Sequence, residues 1–225
     1  MNTFIQAQNL SQFPSLEHGF LTRNQLLTPE PCLLKQIHSC KIIFVDKPLP
    51  EREKIEADGM VTNIPGIALG IQTADCVPVL LFDPEAHVIG ALHAGWKGAF
   101  SGICEEAIEK MEKLGSKRNR ILASLGPAIS QETYEVSPEF KVQFLDQDLA
   151  NEKFFIPSIK EHHFLFDLKG YVEKCLYDAG IKFVETIPFN TYTSPDFFHS
   201  FRRSTHEGKI REGNNISFIK LKNES

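Results

Sequence analysis

Short apolar runs of four to six residues recur along the chain and predict β-strands. The segment between the third and fourth runs, 83–87, reads Asp-Pro-Glu-Ala-His, which is turn chemistry. The two runs that flank it are therefore predicted to form an antiparallel hairpin. The seven clearest runs cover 42–45, 67–71, 77–82, 88–92, 121–125, 183–187 and 216–221.

Apolar residues at three- and four-residue spacing predict two helices. The first extends from Phe100 to Leu114, and Gly115 ends it. The second is capped at its N terminus by Asp167 and ended by Gly180. Hairpins combined with only a few long helices favour an α+β fold over a regular series of βαβ units.

Length and charge narrow the class of protein. The 225 residues fit a single domain, 1–225, with 42% hydrophobic and 24% charged residues, as in ordinary globular proteins. A net charge of −5 argues against a nucleic-acid partner, and the basic run 117–120 fits a solvated loop. The longest apolar stretches fall well short of the ~20 residues that a membrane span needs, so no membrane partner is expected.

The cysteines indicate a reducing compartment. They are five in number, unevenly spaced, and no signal peptide is apparent at the N terminus. We therefore expect free thiols and a cytoplasmic protein. Cys104 and Cys175 fall on the apolar faces of the predicted helices and are interpreted as core residues. Cys40 fits packing at a strand edge better than a metal-ligand role.

Three segments place a metal-binding side chain beside small or turn-forming residues. The hairpin pairing brings Cys76, at the start of one strand, next to His93, at the end of its partner. His38 precedes the 42–45 strand and can complete the set at the same sheet. Two imidazoles and a thiolate suit Zn²⁺, and three ligands leave a fourth position for water or substrate. On spacing alone, ordinary core packing of these residues is an open alternative. The segments are 35–38, 73–78 and 92–98.

Arginines supply candidate anion-binding groups. Arg202 and Arg203 are adjacent, and on an extended segment they would point to opposite faces, one into a site and one into a structural ion pair. Arg23 is a further cationic candidate. The chain contains none of the GxSxG, GxGxxG and GxxxxGK[ST] motifs, which disfavours serine-hydrolase, dinucleotide-binding and P-loop functions.

Several motifs together resemble the YfiH family, also called laccase-domain or multicopper polyphenol oxidase proteins. The resemblance runs from His18-Gly19-Phe20 to the last strand. It implies a layered α/β/β/α domain with mixed sheets and assigns the metal ligands to His38, Cys76 and His93. The most specific motifs are Lys35-Gln36-Ile37-His38, Ala57-Asp58-Gly59, Thr73-Ala74-Asp75-Cys76-Val77-Pro78, His93-Ala94-Gly95-Trp96, Leu125-Gly126-Pro127-Ala128-Ile129, Tyr134-Glu135-Val136 and Phe201-Arg202-Arg203.

The resemblance also implies a zinc-dependent enzyme acting on purine nucleosides. The expected reactions are phosphorolysis of adenosine, inosine, guanosine and methylthioadenosine, and deamination of adenosine. Asp75 and Arg202 are the expected catalytic residues, and Arg23, Gln36 and Arg203 the expected substrate-binding residues. The partners are small molecules, a nucleoside and phosphate, and the motifs give no indication of oligomeric state.

Three other functions remain open from the motifs. One is peptidoglycan editing, in which a wrong amino acid is removed from a UDP-MurNAc-amino acid with the same metal ligands. Copper-dependent phenol oxidation is disfavoured because the eight histidines form no His-x-His pairs. The last is a binding module that uses the metal only for stability.

Overall fold

A computed structural model describes residues 4–23, 25–49, 55–210 and 213–223, so both ends of the predicted 1–225 domain lie outside the described residues. The described strands are β1 (Leu16–Phe20), β2 (Ile42–Phe44), β3 (Gly59–Thr62), β4 (Ala68–Thr73), β5 (Val77–Asp83), β6 (Val88–Ala94), β7 (Leu122–Leu125), β8 (Glu135–Val136), β9 (Phe155–Pro157), β10 (Phe164–Phe166), β11 (Phe183–Thr186) and β12 (Asn215–Leu221). The described α-helices are α1 (Gln8–Ser11), α2 (Trp96–Phe100), α3 (Ile103–Lys113), α4 (Pro138–Gln147), α5 (Leu168–Asp178) and α6 (Phe201–His206).

The largest sheet has six strands in the order β11-β7-β5-β6-β3-β2. Its centre is the β5–β6 hairpin, which confirms the antiparallel pairing predicted from the turn at 83–87. Pro78 lies opposite His93, and Val77 lies opposite Ala94. The two outer pairs, β7–β11 and β2–β3, are parallel, so the sheet is mixed.

Two smaller sheets complete the architecture. β1, β12 and β4 form an antiparallel sheet, and β8, β10 and β9 form another. All seven predicted strands are present, within one or two residues of their predicted ends. Strands β1 and β3 and the short strands β8 to β10 were not predicted from the apolar pattern.

The large sheet is buried on both faces, which explains the continuous apolar run of β5. Val79 and Leu81 pack with Ile108 of α3 and Val172 of α5 on one face. Leu80, on the opposite face, packs in a second cluster with residues of β4 and β12. Helices, large sheet and small sheet are thus stacked in layers, and the predicted α+β fold with mixed sheets is confirmed.

The first predicted helix is divided in two. Its predicted start at Phe100 is the last residue of α2, and the remainder forms α3. The break lies at Gly102, whose φ of +88° is in the left-handed region and interrupts the helix. The second predicted helix is α5, with the Asp167 side chain accepting a hydrogen bond from the Gly170 N–H as expected of a cap. None of the described helices combines the length and apolar character needed to cross a membrane.

Candidate metal centre

The three predicted ligands converge at one end of the β5–β6 hairpin. The ligand atoms of His38, Cys76 and His93 all lie within 4.8 Å of one another. Cys76 directly precedes β5, and His93 lies in β6 opposite Pro78, two residues beyond Cys76. The imidazole rings of His38 and His93 have centroids 4.7 Å apart. Within the described part of the chain, this is the one cluster of three His, Cys, Asp or Glu side chains placed to hold a metal ion.

Asp58 fixes the backbone that carries His38. Its carboxylate accepts hydrogen bonds from the N–H groups of Ile37, His38 and Ser39 at 3.2, 2.8 and 2.7 Å. His38 has a φ of +60°, an unusual conformation for a residue with a side chain. The three hydrogen bonds hold the loop in that conformation, and they direct the imidazole towards the other ligands.

Asp58 also orients the second histidine. Its Oδ1 lies 2.9 Å from His93 Nδ1, which leaves Nε2 of His93 for a metal. Asp58 is fully buried, which disfavours its charge, but the hydrogen bonds from His93 and Ser39 prevail and lower its pKa to about 2. One ionised carboxylate thus positions two ligands.

The electrostatics favour a thiolate at Cys76. Burial opposes ionisation, but the charge of His93 and hydrogen bonds from both histidines outweigh it and lower the pKa of Cys76 to about 7. Burial likewise opposes protonation of His93, yet Cys76 and Asp58 raise its pKa to about 9. A thiolate with two imidazoles is a donor set that suits zinc chemically.

The backbone at Gly95 comes very close to the ligands. A Cβ atom at this position would lie 2.9 Å from Cys76 Sγ and 3.0 Å from His38 Nδ1. The His-Ala-Gly-Trp motif therefore has a glycine where a side chain would crowd two ligand atoms.

The ligands line a cavity of about 540 Å³. This volume is within the usual range for small-molecule sites. Trp96, Tyr134 and Phe201 supply aromatic surface to its walls. Polar side chains of Gln72, Arg202 and Asn214 also line it.

Arg202 reaches this cavity from helix α6, which corrects the expectation of an extended segment. The helix begins after Ser200, whose Oγ accepts a hydrogen bond from the Arg203 N–H. The Arg202 guanidinium lies 5.2 Å from the centre of the Tyr134 ring, and its Nη1 donates to the Glu135 carbonyl. No carboxylate among the described residues forms an ion pair with it, so its remaining N–H groups are available to an anion.

The structure does not bring Arg203 or Arg23 to the cavity wall. Arg203 donates to the carbonyls of Thr191, Tyr192 and Phe198, so it holds the loop before α6 together. Within the described part of the chain it makes these backbone contacts instead of the expected ion pair. Arg23 donates to the Pro195 carbonyl and lies outside the cavity lining.

Asp75 and Gln36 do line the cavity, but their polar atoms are engaged. Asp75 accepts from Thr191 Oγ1 and from the Arg202 N–H, both at 2.6 Å. It therefore holds the start of α6, and with it Arg202, next to the ligand Cys76. The Gln36 carboxamide donates to the Gln72 carbonyl and accepts from the Gln72 N–H.

Four residues at the site had no predicted role. Asp58 lies in a motif of the resemblance, yet its contacts with the 37–39 loop and with His93 come from distant parts of the chain. Tyr134 also lies in such a motif. Gln72 and Asn214 carry no sequence signal beyond their positions at the ends of apolar strands.

Solved structures define the class to which this fold belongs. The crystal structure of Bacillus licheniformis hypothetical protein YfiH superposes with a TM-score of 0.84 over 99% of this chain and 97% of that chain, at 26% identity. A Neisseria meningitidis protein of the family DUF152 superposes with a TM-score of 0.76 over 86% of this chain and 76% of the other, at 29% identity. The chain is a protein of the YfiH type.

Sequence comparison gives the family. Residues 19–222 match the family described as multi-copper polyphenol oxidoreductase laccase, and the chain belongs to it. A Rickettsia conorii protein named purine nucleoside phosphorylase is 41% identical over 190 residues, which are 84% of this chain and 78% of that protein. A protein of an unknown prokaryotic organism named adenosine deaminase is 30% identical over 194 residues, 80% of this chain and 72% of that protein. The resemblance drawn from the motifs is confirmed.

Proposed function

We infer that this chain is a zinc-dependent purine nucleoside enzyme. It cleaves adenosine, inosine, guanosine and methylthioadenosine with phosphate, and it deaminates adenosine. The observation that carries this proposal is the placement of three metal ligands in one cavity with Arg202, whose guanidinium forms no ion pair with a carboxylate of the described residues. The relatives named purine nucleoside phosphorylase and adenosine deaminase support it.

Arg202 is the group we assign to phosphate. Its guanidinium lies against the Tyr134 ring and keeps free N–H groups, which suit bidentate binding of an oxyanion. In phosphorolysis, a phosphate oxygen forms a bond to the anomeric carbon while the bond from that carbon to the purine nitrogen breaks. The electron pair leaves with the purine. Asp75 acts as a positioning residue, since it binds the Arg202 backbone instead of facing substrate.

The three ligands are assigned to Zn²⁺. When bound at these three residues, zinc would supply Lewis-acid assistance to the attack of an oxygen nucleophile. In deamination, the oxygen of water forms a bond to C6 of the purine, and the amine leaves as ammonia. Both reactions need the cavity to hold the purine close to Cys76 and His93. We place the enzyme in the cytoplasm, where its free thiols stay reduced.

The test combines metal content with turnover. The purified protein and the Cys76→Ala variant are analysed for zinc and incubated with adenosine and phosphate, and adenine, inosine and hypoxanthine are separated chromatographically. We expect about one zinc per chain. We also expect adenine from phosphorolysis and inosine from deamination. In the variant, zinc should be absent and turnover should fall by about 10³-fold or more, because several kcal/mol of electrophilic assistance is lost.

The outcomes separate the proposed activity from the alternatives. Zinc without nucleoside turnover would contradict the proposal, and release of amino acid from a UDP-MurNAc-amino acid would then assign the site to editing. Phenol oxidation by copper-loaded protein, without nucleoside turnover, would favour the oxidase function. Full turnover in Cys76→Ala would show that the reaction does not need the metal centre.

A further inference from the structure

Two carboxamides on the cavity wall have no hydrogen bond to any described residue. They belong to Gln72 and Asn214, which both line the cavity. Neighbouring polar groups are engaged: Lys35 pairs with Glu56, and the Gln36 amide is bound to the backbone of Gln72. The two carboxamides that make no hydrogen bond are therefore free to bind a small molecule in the cavity.

The sheet register places Gln72 and Asn214 near each other on one face of the sheet. β4 and β12 are antiparallel, with Gln72 opposite Ile216 and Thr73 opposite Asn215. Continued by one residue, this register sets Asn214 opposite Ala74, which also lines the cavity. Gln72 and Asn214 are thus diagonal neighbours on one face, about 7–8 Å apart at their Cα atoms.

This wall adjoins the metal centre. Gln72 is tied through its backbone to Gln36, two residues before the ligand His38. Ala74 is two residues before the ligand Cys76. A flat molecule held by the carboxamides would therefore lie beside the ligands.

A carboxamide carries one donor group and one acceptor, and a half-turn exchanges their positions. The edge of adenine presents an acceptor at N1 and a donor at the 6-amino group. Hypoxanthine and guanine present the reverse, a donor at N1 and an acceptor at the 6-oxo group. A carboxamide can match both edges. A carboxylate only accepts: beside N1 it matches the N1–H of a 6-oxopurine and faces the lone pair of adenine N1, whereas beside C6 it matches the 6-amino group of adenine and faces the lone pairs of a 6-oxo group.

We propose that Gln72 and Asn214 hydrogen-bond the N1 and C6 edge of the purine, so that one cavity takes both 6-amino and 6-oxopurine nucleosides. The proposal rests on the proposed function, whose mixture of adenosine and inosine substrates it explains. The two residues are specificity-determining contacts, and they take no part in bond breaking.

The test converts each carboxamide to a carboxylate of the same shape. For wild type, Gln72→Glu and Asn214→Asp, calorimetry gives the dissociation constants of adenosine and inosine, and phosphorolysis gives kcat/KM for both. We expect each variant to shift the adenosine-to-inosine ratio by about tenfold, towards inosine where the carboxylate replaces the carboxamide beside N1 and towards adenosine where it replaces the one beside the C6 substituent. The ratio cancels any common effect of the added charge on phosphate. Gln143→Glu, the same change on the exposed face of α4, is the matched control and should leave the ratio unchanged.

Zinc content and circular dichroism verify that each variant is folded and loaded. A ratio within twofold of wild type in one variant overturns the assignment of that residue, and in both variants it overturns the proposal. Failure of the wild-type protein to bind either nucleoside overturns this proposal together with the proposed function. Binding without turnover, with shifted ratios of dissociation constants in the variants, supports the carboxamide contacts and contradicts only the proposed reaction.

Discussion

The two ends of the β5–β6 hairpin bury polar side chains in opposite ways. At the turn, Asp83 accepts hydrogen bonds from the N–H groups of Glu85, Ala86 and Lys117 and pairs with Arg120 at 2.9 Å. Its carboxylate is fully buried, and both oxygens are used within the protein.

At the open end, Cys76 and His93 are held just as firmly, but their ligand atoms face a cavity. Asp58 is the counterpart of Asp83 there, since it is equally buried and binds both backbone N–H groups and His93. A saturated polar network stabilises the fold, whereas a network that leaves ligand atoms uncovered creates a site. The comparison predicts that substitutions at the turn change stability and substitutions at the open end change metal affinity.

The largest effect is expected from Asp83→Ala. The change leaves three part-buried N–H groups without their acceptor and removes one of the two carboxylate partners of Arg120, which should lower the free energy of unfolding by about 2–3 kcal/mol. Chemical denaturation measures the loss. Zinc content and kcat/KM of the folded variant should stay near wild type, because the metal centre is at the other end of the hairpin.

The loss should also depend on pH. Burial disfavours the Asp83 charge, but hydrogen bonds from Ala86, Lys117 and Arg120 outweigh it and lower its pKa. A lowered pKa in the folded state means that the stabilisation is complete above the unfolded value near 4 and is lost as the pH falls below it. The difference in the free energy of unfolding between wild type and Asp83→Ala should therefore become smaller as the pH falls from 5 to 3. Asp146→Ala, at an exposed position of α4, is the control, and its free energy of unfolding should stay close to that of wild type across this pH range.

An intermediate effect is expected from Asp58→Asn. One carboxamide oxygen can still accept from His93, but the new NH₂ group would face the N–H groups of Ile37 and Ser39, donor against donor. The loop carrying His38 should then loosen and zinc affinity fall by about 10–100-fold, as found for such supporting carboxylates. Competition with a chelator of known affinity measures the change.

Excess zinc distinguishes positioning from chemistry in this variant. If Asp58 acts only by holding the ligands, saturating zinc should restore most of the turnover. A loss of kcat that persists at full zinc occupancy would contradict that role.

The sequence was sufficient for the parts of the site that depend on local patterns. The apolar runs 77–82 and 88–92 and the turn between them predict the pairing that places Cys76 beside His93. No local pattern could reveal what Asp58 does, because its partners lie 19 to 21 residues before it and 35 after it. The Ala57-Asp58-Gly59 motif could be recognised in the sequence, but the sequence did not show that three segments meet at the Asp58 carboxylate.

Local sequence patterns also failed to predict helix α6. Its residues Arg202 and Arg203 were expected on an extended segment. Ser200 supplies a local cap, but the Arg202 N–H is bound by Asp75, which is 127 residues away in sequence. Because the helix start depends on that distant carboxylate, only the folded structure shows which arginine enters the cavity.

The smallest effect is expected from a glycine-to-alanine substitution made at two positions, one within strand β6 and one just beyond it. The pair of variants compares the two ends of the hairpin directly. Gly95→Ala, just beyond the strand, places a Cβ 2.9 Å from Cys76 Sγ and should weaken zinc binding by about tenfold, the lower end of the range for disturbed ligand support. Gly90→Ala, nearer the turn, places its Cβ 3.4 Å from the nearest atom, a side-chain carbon of Leu81, which is ordinary contact. Chelator competition should show a weakened site in the first variant and wild-type affinity in the second. Equal affinities in the two variants would mean that the ligands can move aside without cost, and that the site is less rigid than its contacts with Asp58 imply.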